Sequence, residues 1–162
     1  MADFDDNRFN SKKQEYETPQ NLFDYLHTIF NFDIDLAADE NNKKCEKYFS
    51  KDDDALKQSW KGIGWLNPPY GERGYKLKDW VKKSFHESQK SGCVVVMLIP
   101  ARTNTAWWHD YCMQSKEIML IKGRPKFKGC KHGLPQPLAI VVFDTHNKDT
   151  KLTSLDLKCL SD

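Results

Sequence analysis

The sequence has no apolar stretch approaching 18 residues, the length a membrane-crossing helix requires, so no bilayer span is expected. Its start carries no basic segment followed by a short apolar core, so no secretory leader is expected either. Internal repeats and low-complexity tracts are missing, which excludes solenoids and linker-like chains. The five cysteines (Cys45, Cys93, Cys112, Cys130, Cys159) are odd in number and scattered, with no C-x-x-C pair. That excludes a disulfide framework and makes free thiols the expectation. HDYC (109–112) and CKH (130–132) resemble metal-binding fragments, but without a paired C-x-x-C no metal site is expected. Charge of one sign is also scarce: 25 Lys+Arg against 23 Asp+Glu give +2, too little to identify a nucleic-acid partner. What basic character there is lies in KKCEK, YKLKDWVKK and IKGRPKFKGCKHG.

The 162 residues suffice for one domain with a real core. Residues 1–14, with the acidic DFDD, read as a flexible segment, and residues 15–162 as a single domain. YETPQNLFDYLHTIF carries a helix start, with Thr18 at the N-cap, Pro19 at the first helical position, and Leu22, Leu26, Ile29 and Phe30 on one face. A short strand follows from Phe32 to Leu36, then a polar stretch of loop with some helix, then a second strand, GIGWL. KLKDWVKKSFHESQKSG is an amphipathic helix with Leu77, Val81 and Phe85 inward and Gly92 as its stop. CVVVMLIP is a continuous β-branched run of the kind covered on both faces. AWWHDYCMQS reads as a helix, with Trp107 and Trp108 as packing residues, and EIMLIK and LAIVVF as strands. Between those two strands runs a loop rich in Gly, Pro and Lys, from Gly123 to Pro137. Leu155, Leu157 and Cys159 alternate as one late strand would. Strands alternating with helices predict an α/β fold with a mostly parallel sheet.

In open α/β sheets ligands bind beyond the carboxyl ends of the strands. Three stretches fall there: Asp35 to Asp39, Asn67 to Tyr70, and Pro100 to Thr105. In WLNPPYG, the Asn67 side chain and the Pro68 carbonyl each offer an acceptor. The rings of Pro68 and Pro69 fix φ and remove amide donors, so the acceptors keep a set geometry. Tyr70 adds a flat face. Two convergent acceptors and an aromatic plate suit a planar group bearing –NH₂, such as adenine. A chance NPPY in a chain of this length is expected about once in two thousand sequences at average residue usage, which argues against an idle Pro-Pro turn.

These residues match the amino-methyltransferase motif: Asn, Asp or Ser, then Pro-Pro, then an aromatic. In order along the chain, YETPQNLFDYL, FDIDLAADENNKKCEKYF, KDDDAL, GWLNPPYG, VVVMLIPARTNTAWWHDY and GRPKF resemble the phage-type DNA N-6-adenine methyltransferases, small relatives of Dam. The likeness covers most of Tyr16 to Phe143. It implies a compact Rossmann-like methyltransferase sheet, mostly parallel, with an antiparallel C-terminal strand. F-x-G-x-G is missing, and the gap from Asp35 to Asn67 is too short for the usual two intervening βα units. The sheet is therefore expected to be abbreviated, and the ribose-binding acid stays open. No inserted target-recognition domain is present, which leaves base-sequence specificity to loops or leaves it loose.

The resemblance further implies S-adenosylmethionine as methyl donor, double-stranded DNA as substrate, and a bacterial or phage-infected cytoplasm. No membrane partner is expected, and a monomer is the default. Asn67, Pro68, Pro69 and Tyr70 take the catalytic positions, with Tyr70 stacked on the target base. Asp35 is the first choice for the carboxylate near the cationic donor, with Ala37 and Ala38 leaving room for its methionine part. Thr18 and Pro19 either form part of the cofactor wall, or cap a helix, or do both. Asp53 or Asp54, with Asp54 preferred, accepts from the donor's adenine amino group or is a solvated turn. Arg73 in ERGYKLK, Arg102 beside Thr103 and Asn104, and Arg124, Lys126 and Lys128 near Phe127 are the candidate DNA contacts.

Overall fold

The computed structural model describes residues 17–69, 74–90, 92–127, 136–145 and 149–160. Segment 1–14, Tyr70, Arg73, Lys128 and Cys130 lie outside the described residues. The elements are α1 (Gln20–Phe30), β1 (Ile34–Asp35), β2 (Gly62–Leu66), α2 (Leu77–Ser88), β3 (Cys93–Pro100), α3 (Ala106–Asp110), β4 (Glu117–Lys122), β5 (Leu138–Phe143) and β6 (Lys151–Asp156), with short 3₁₀ turns at Ala55–Lys57, Cys112–Gln114 and Leu157–Cys159.

The apolar run CVVVMLIP is β3, at the centre of a six-stranded sheet ordered β1-β2-β3-β5-β4-β6. Side chains alternate across a strand, so a strand covered on both faces must be apolar throughout. Val95, Met97 and Ile99 of β3 accordingly join one core cluster, and Val96 and Leu98 the other. β5 divides the same way: Ala139, Val141 and Phe143 on one face, Leu138, Ile140 and Val142 on the other. On the first face Leu77, Trp80 and Val81 of α2 and Trp108 of α3 cover the sheet. Phe85 and Trp107 pack against them, half-buried. Leu22, Phe23 and Leu26 of α1 cover the second face against Trp65, Val96 and Ile140. The result is a three-layer α/β/α sandwich.

β1, β2 and β3 run parallel, with Ile34 opposite Gly64 and Leu66 opposite Met97. β5 runs antiparallel to both of its neighbours, pairing Pro100 with Leu138 and Leu120 with Ala139. β6 returns parallel to β4, with Lys122 opposite Asp156. The antiparallel member is thus β5, last but one in the chain. The sheet is indeed short. Between β1 and β2 the chain makes only a bridge of Asp35 to Tyr48 and one 3₁₀ turn, which leaves β1 at the edge. β1 sits close on β2: a Cβ at Gly64 would lie 2.6 Å from Leu36 Cδ1, so a larger residue there would require the buried Leu36 side chain to shift. Backbone bonds from Asp33 N to Ile63 O (2.8 Å) and Leu36 N to Trp65 O (2.9 Å) extend the pairing beyond the two-residue strand.

Three local expectations change. Ile29 is 52% exposed, because the buried stripe of α1 is centred on Leu22, Phe23 and Leu26 and is closed by Phe32 stacking on Phe23 and His27. The helix through AWWHDYCMQS breaks at Tyr111 into a 3₁₀ turn. The late strand lies earlier, at Lys151–Asp156, and Leu157–Cys159 is a turn. The Asp156 carboxylate accepts from the Lys158 amide there, and this local bond competes with a strand ladder. The carboxyl ends of the five parallel strands and the start of β5 share one edge, which gathers residues 35–38, 67–69, 101–105 and 123–127.

Candidate active site

β2 runs Gly62–Leu66 with its last three residues buried, and delivers Asn67 to the carboxyl edge. Pro68 is buried, while Asn67 and Pro69 are half-buried. Asn67 Nδ2 donates to Thr18 Oγ1 at 3.1 Å, across 49 positions of sequence. Thr18 is 3% exposed. The expected helix cap is therefore corrected. Pro19 occupies the cap position with non-helical ψ 132, and its carbonyl accepts the first helical bond, from Phe23 N at 3.2 Å. The Thr18 hydroxyl faces Asn67 instead, and Leu22 N is satisfied by Asn21 Oδ1 (2.9 Å).

One strand away, Asp35 is 3% exposed. Its Oδ1 accepts from Ala37 N (3.2 Å) and its Oδ2 from Lys44 N (3.0 Å). Burial raises its pKa to about 6, against the opposing pull of those two amides and the Lys44 charge. The same residue ties the loop down through its backbone: Asp35 N donates to Lys47 O (3.0 Å) and Phe49 N to Asp35 O (2.9 Å). Ala37 and Ala38 follow at once, half-buried and small, with Ala38 N bonded to Phe49 O (3.0 Å). Lys44 Nζ reaches Gln20 Oε1 (2.8 Å), so this loop also touches the start of α1.

Asp53 and Asp54 differ. Asp53 is exposed and closes a local turn onto Ser50 N (2.7 Å) and Ser50 Oγ (2.9 Å). These bonds hold its carboxyl below the ordinary value. Asp54 adopts a left-handed backbone (φ 51), and its carboxylate accepts from Tyr75 Oη at 3.3 Å, across the segment that follows the Asn-Pro-Pro corner. Tyr75 is a partner that sequence reasoning misses, since its only signal there is that it closes ERGY.

Arg102 follows β3 at the same edge, half-buried, in a tight turn that Thr105 Oγ1 and His109 Nε2 hold through bonds to the carbonyls of Arg102 and Thr103. Beyond β4, Arg124 and Lys126 are exposed while Pro125 and Phe127 between and after them are buried, so the loop is anchored with its cations outward. No ion pair forms between Arg102, Arg124 or Lys126 and any described residue. The structure thus brings Thr18 and Asn67 into contact and sets Asp35, Ala37 and Ala38 beside them. It puts Arg102, Arg124 and Lys126 on the far side of Asn67, with β4 roughly 14 Å away at about 4.8 Å per strand.

Comparison with known proteins points the same way. The chain is 34% identical over 111 residues to the DNA N-6-adenine-methyltransferase of Escherichia phage T1, an alignment covering 66% of this chain and 44% of that protein. It is 32% identical over 119 residues to the DNA N-6-adenine-methyltransferase of Haemophilus phage HP1, covering 71% of this chain and 66% of that one. The chain therefore spans less than half the length of the T1 protein and about two thirds of the HP1 protein. The model of the DNA N-6-adenine-methyltransferase (Dam) family matches residues 6–152, nearly the whole sequence, including residues 35–38, 67–69, 101–105 and 123–127 gathered at this edge. The chain belongs to the DNA N-6-adenine-methyltransferase (Dam) family.

Proposed function

We propose that this protein transfers a methyl group from S-adenosylmethionine to the exocyclic amino group of adenine in double-stranded DNA. The observation that carries the reading is the Asn67–Pro68–Pro69 corner at the carboxyl end of β2, with a buried carboxylate on one side and, on the other, cations that form no ion pair among the described residues. The donor set fits the methyl donor. Asp35 brings negative charge to a buried place, as a sulfonium cation requires. Ala37 and Ala38 leave space beside it, and Asp54 is a second carboxylate for an adenosine amino group. When bound, S-adenosylmethionine supplies an electrophilic methyl group.

The chain's own residues prepare the amine. Adenine's amino lone pair is delocalised into the ring and is a poor nucleophile. Acceptance of its two hydrogens by Asn67 Oδ1 and the Pro68 carbonyl favours a more tetrahedral nitrogen with an available lone pair. No strong base is needed at the outset, because the proton leaves after the nitrogen has become cationic. These acceptors grip the amine more strongly as positive charge develops, so their contribution falls on the transition state. Tyr70 stacks on the base, contributing roughly 1–3 kcal/mol. This offsets part of the few kcal/mol needed to take adenine out of the duplex. Arg73, Arg102, Arg124, Lys126 and Lys128 hold phosphates. Residues 15–162 act as one methyltransferase domain, a monomer in a bacterial or phage-infected cytoplasm.

Incubation with labelled methyl donor and duplex DNA, followed by digestion to nucleosides, tests the reading. Label in 6-methyladenine is expected. Label in cytosine, or in RNA alone, would replace the acceptor. No label from a folded protein that binds no donor would leave a nucleic-acid-binding relative instead.

A further inference from the structure

An asparagine carboxamide carries an acceptor and a donor at the two ends of one small fork, and only its rotation decides which of them faces a substrate. Presented the wrong way, Asn67 would set its own N–H groups against the hydrogens of the amine it is meant to hold. The described structure contains a device that fixes this choice. We infer that Thr18 is a positioning residue for Asn67, its hydroxyl taking Nδ2 and thereby turning Oδ1 toward the reacting amine. This rests on the role of Asn67 proposed above and deepens it.

Three observations carry the inference. The Oγ1 of Thr18 lies 3.1 Å from Asn67 Nδ2, and the two ends of a carboxamide point apart, so Oδ1 faces away from Thr18. Thr18 is 3% exposed, and its hydroxyl does not do the capping work its sequence position suggests, since Pro19 is the cap residue and Asn21 Oδ1 takes the Leu22 amide. Finally, each partner precedes a proline: Thr18 stands before Pro19 and Asn67 before Pro68. A following proline confines the backbone of the preceding residue to extended conformations. The hydrogen bond therefore joins two residues whose backbones are already restrained, so it has only side-chain torsions left to order. The Thr-Pro and Asn-Pro-Pro pairs, far apart in sequence, work as one clamp.

Thr18→Val keeps the shape and removes the hydroxyl, while Thr18→Ser keeps the hydroxyl. Thr18→Val is expected to lower kcat roughly 10- to 100-fold, with KM for DNA nearly unchanged. Thr18→Ser is expected to recover most of that loss. In an Asn67→Asp background both ends of the side chain accept, so rotation no longer matters. There Thr18→Val should cost less than about threefold, because the two sites are no longer coupled through an amide. Equal losses in both backgrounds, or Thr18→Ser as damaged as Thr18→Val, would overturn the inference. A readout independent of turnover uses the side-chain amide resonances of Asn67 in ¹⁵N-labelled protein without donor or DNA. They should be protected from exchange in the wild type and in Thr18→Ser, and lose that protection in Thr18→Val. Unchanged exchange in a folded Thr18→Val also overturns the inference. Wild-type protein that transfers no methyl to adenine while showing the expected exchange pattern would instead remove the proposed function and leave the clamp standing.

Discussion

On the β1 side of Asn67 the side chains of Asp35, Asp39, Glu40, Lys43 and Lys44 are bound to the protein itself; on the β3 and β4 side Arg102, Arg124 and Lys126 form no ion pair among the described residues, although Lys122 at the end of β4 pairs with Asp156 (3.7 Å). Asp35 spends both carboxylate oxygens on backbone amides, and Asp39 accepts from the amides of Asn41 (2.8 Å) and Asn42 (2.9 Å). Glu40 accepts from Tyr48 Oη (2.7 Å) and Lys43 (3.3 Å), and Lys43 lies 5.2 Å over the Tyr48 ring. These bonds fold the 36–49 stretch into a fixed wall in place of the two βα units it lacks. Across the corner, Arg102, Arg124 and Lys126 keep their charges uncommitted among the described residues. A pocket for a small cationic molecule must be built in advance, since every group it orders on binding costs affinity. A surface for a polyanion must keep its cations available to phosphate, which a pre-formed ion pair would compete for. Under the proposed function, this difference in internal bonding supports placing the donor on the β1 side and DNA on the other.

The sharpest way to break this comparison is at its midpoint. Asn67→Ala should lower methyl transfer roughly 10²–10³-fold with donor affinity nearly unchanged, measured by single-turnover kinetics and calorimetry. A large loss of donor affinity would mean that Asn67 belongs to the wall and not to the reacting amine.

Next comes Asp35→Asn, expected to weaken donor binding by about tenfold or more, through loss of a buried negative charge and of one of the two amide bonds. The pH dependence sharpens the test. The folded pKa of Asp35 is raised to about 6 from 3.8, so between these values the folded state binds the proton more tightly than the unfolded chain. Its buried charge costs up to about 3 kcal/mol above pH 6, and the cost is relieved as pH falls from 6 toward 4. Denaturant melts of Asp35→Asn should be flatter than those of wild type over that window. Donor affinity of the wild type should fall as pH drops through 6, and that of the variant should not.

A smaller effect belongs to the opposite side. Arg124→Ala combined with Lys126→Ala should raise KM for DNA several-fold and reduce the slope of log affinity against log salt by about one for each phosphate deprived of its cation, with donor affinity unchanged. If the slope is unaltered, that loop does not track the backbone. The smallest effect separates neighbouring acids: Asp54→Asn should weaken donor binding a few-fold, while Asp53→Asn should loosen only the Ser50 turn, with donor affinity unchanged.

The central strands are legible in the sequence itself, because CVVVMLIP and LAIVVF are apolar at every position and a strand covered on both faces uses such runs. GIGWL and its Asn-Pro-Pro corner are legible for a different reason: prolines cannot continue a central strand, so chemistry and strand end coincide in the same four residues. The missing βα units follow from simple chain length between Asp35 and Asn67. Other features are decided only in three dimensions. Thr18 reads as a helix cap by every local rule, yet its hydroxyl meets a side chain 49 residues away. Ile29 falls close to the apolar row of α1, yet aromatic stacking at Phe32 shifts the buried stripe off it. Asp53 and Asp54 are adjacent and identical in type, yet Asp53 closes a local turn onto Ser50 while Asp54 meets Tyr75 from across the chain. The amino-acid sequence by itself determines what depends on a residue and its immediate neighbours, namely periodicity, proline geometry and spacing. Which hydroxyl meets which amide depends on where distant segments are brought by the packing of a sheet, and no local pattern carries that distance.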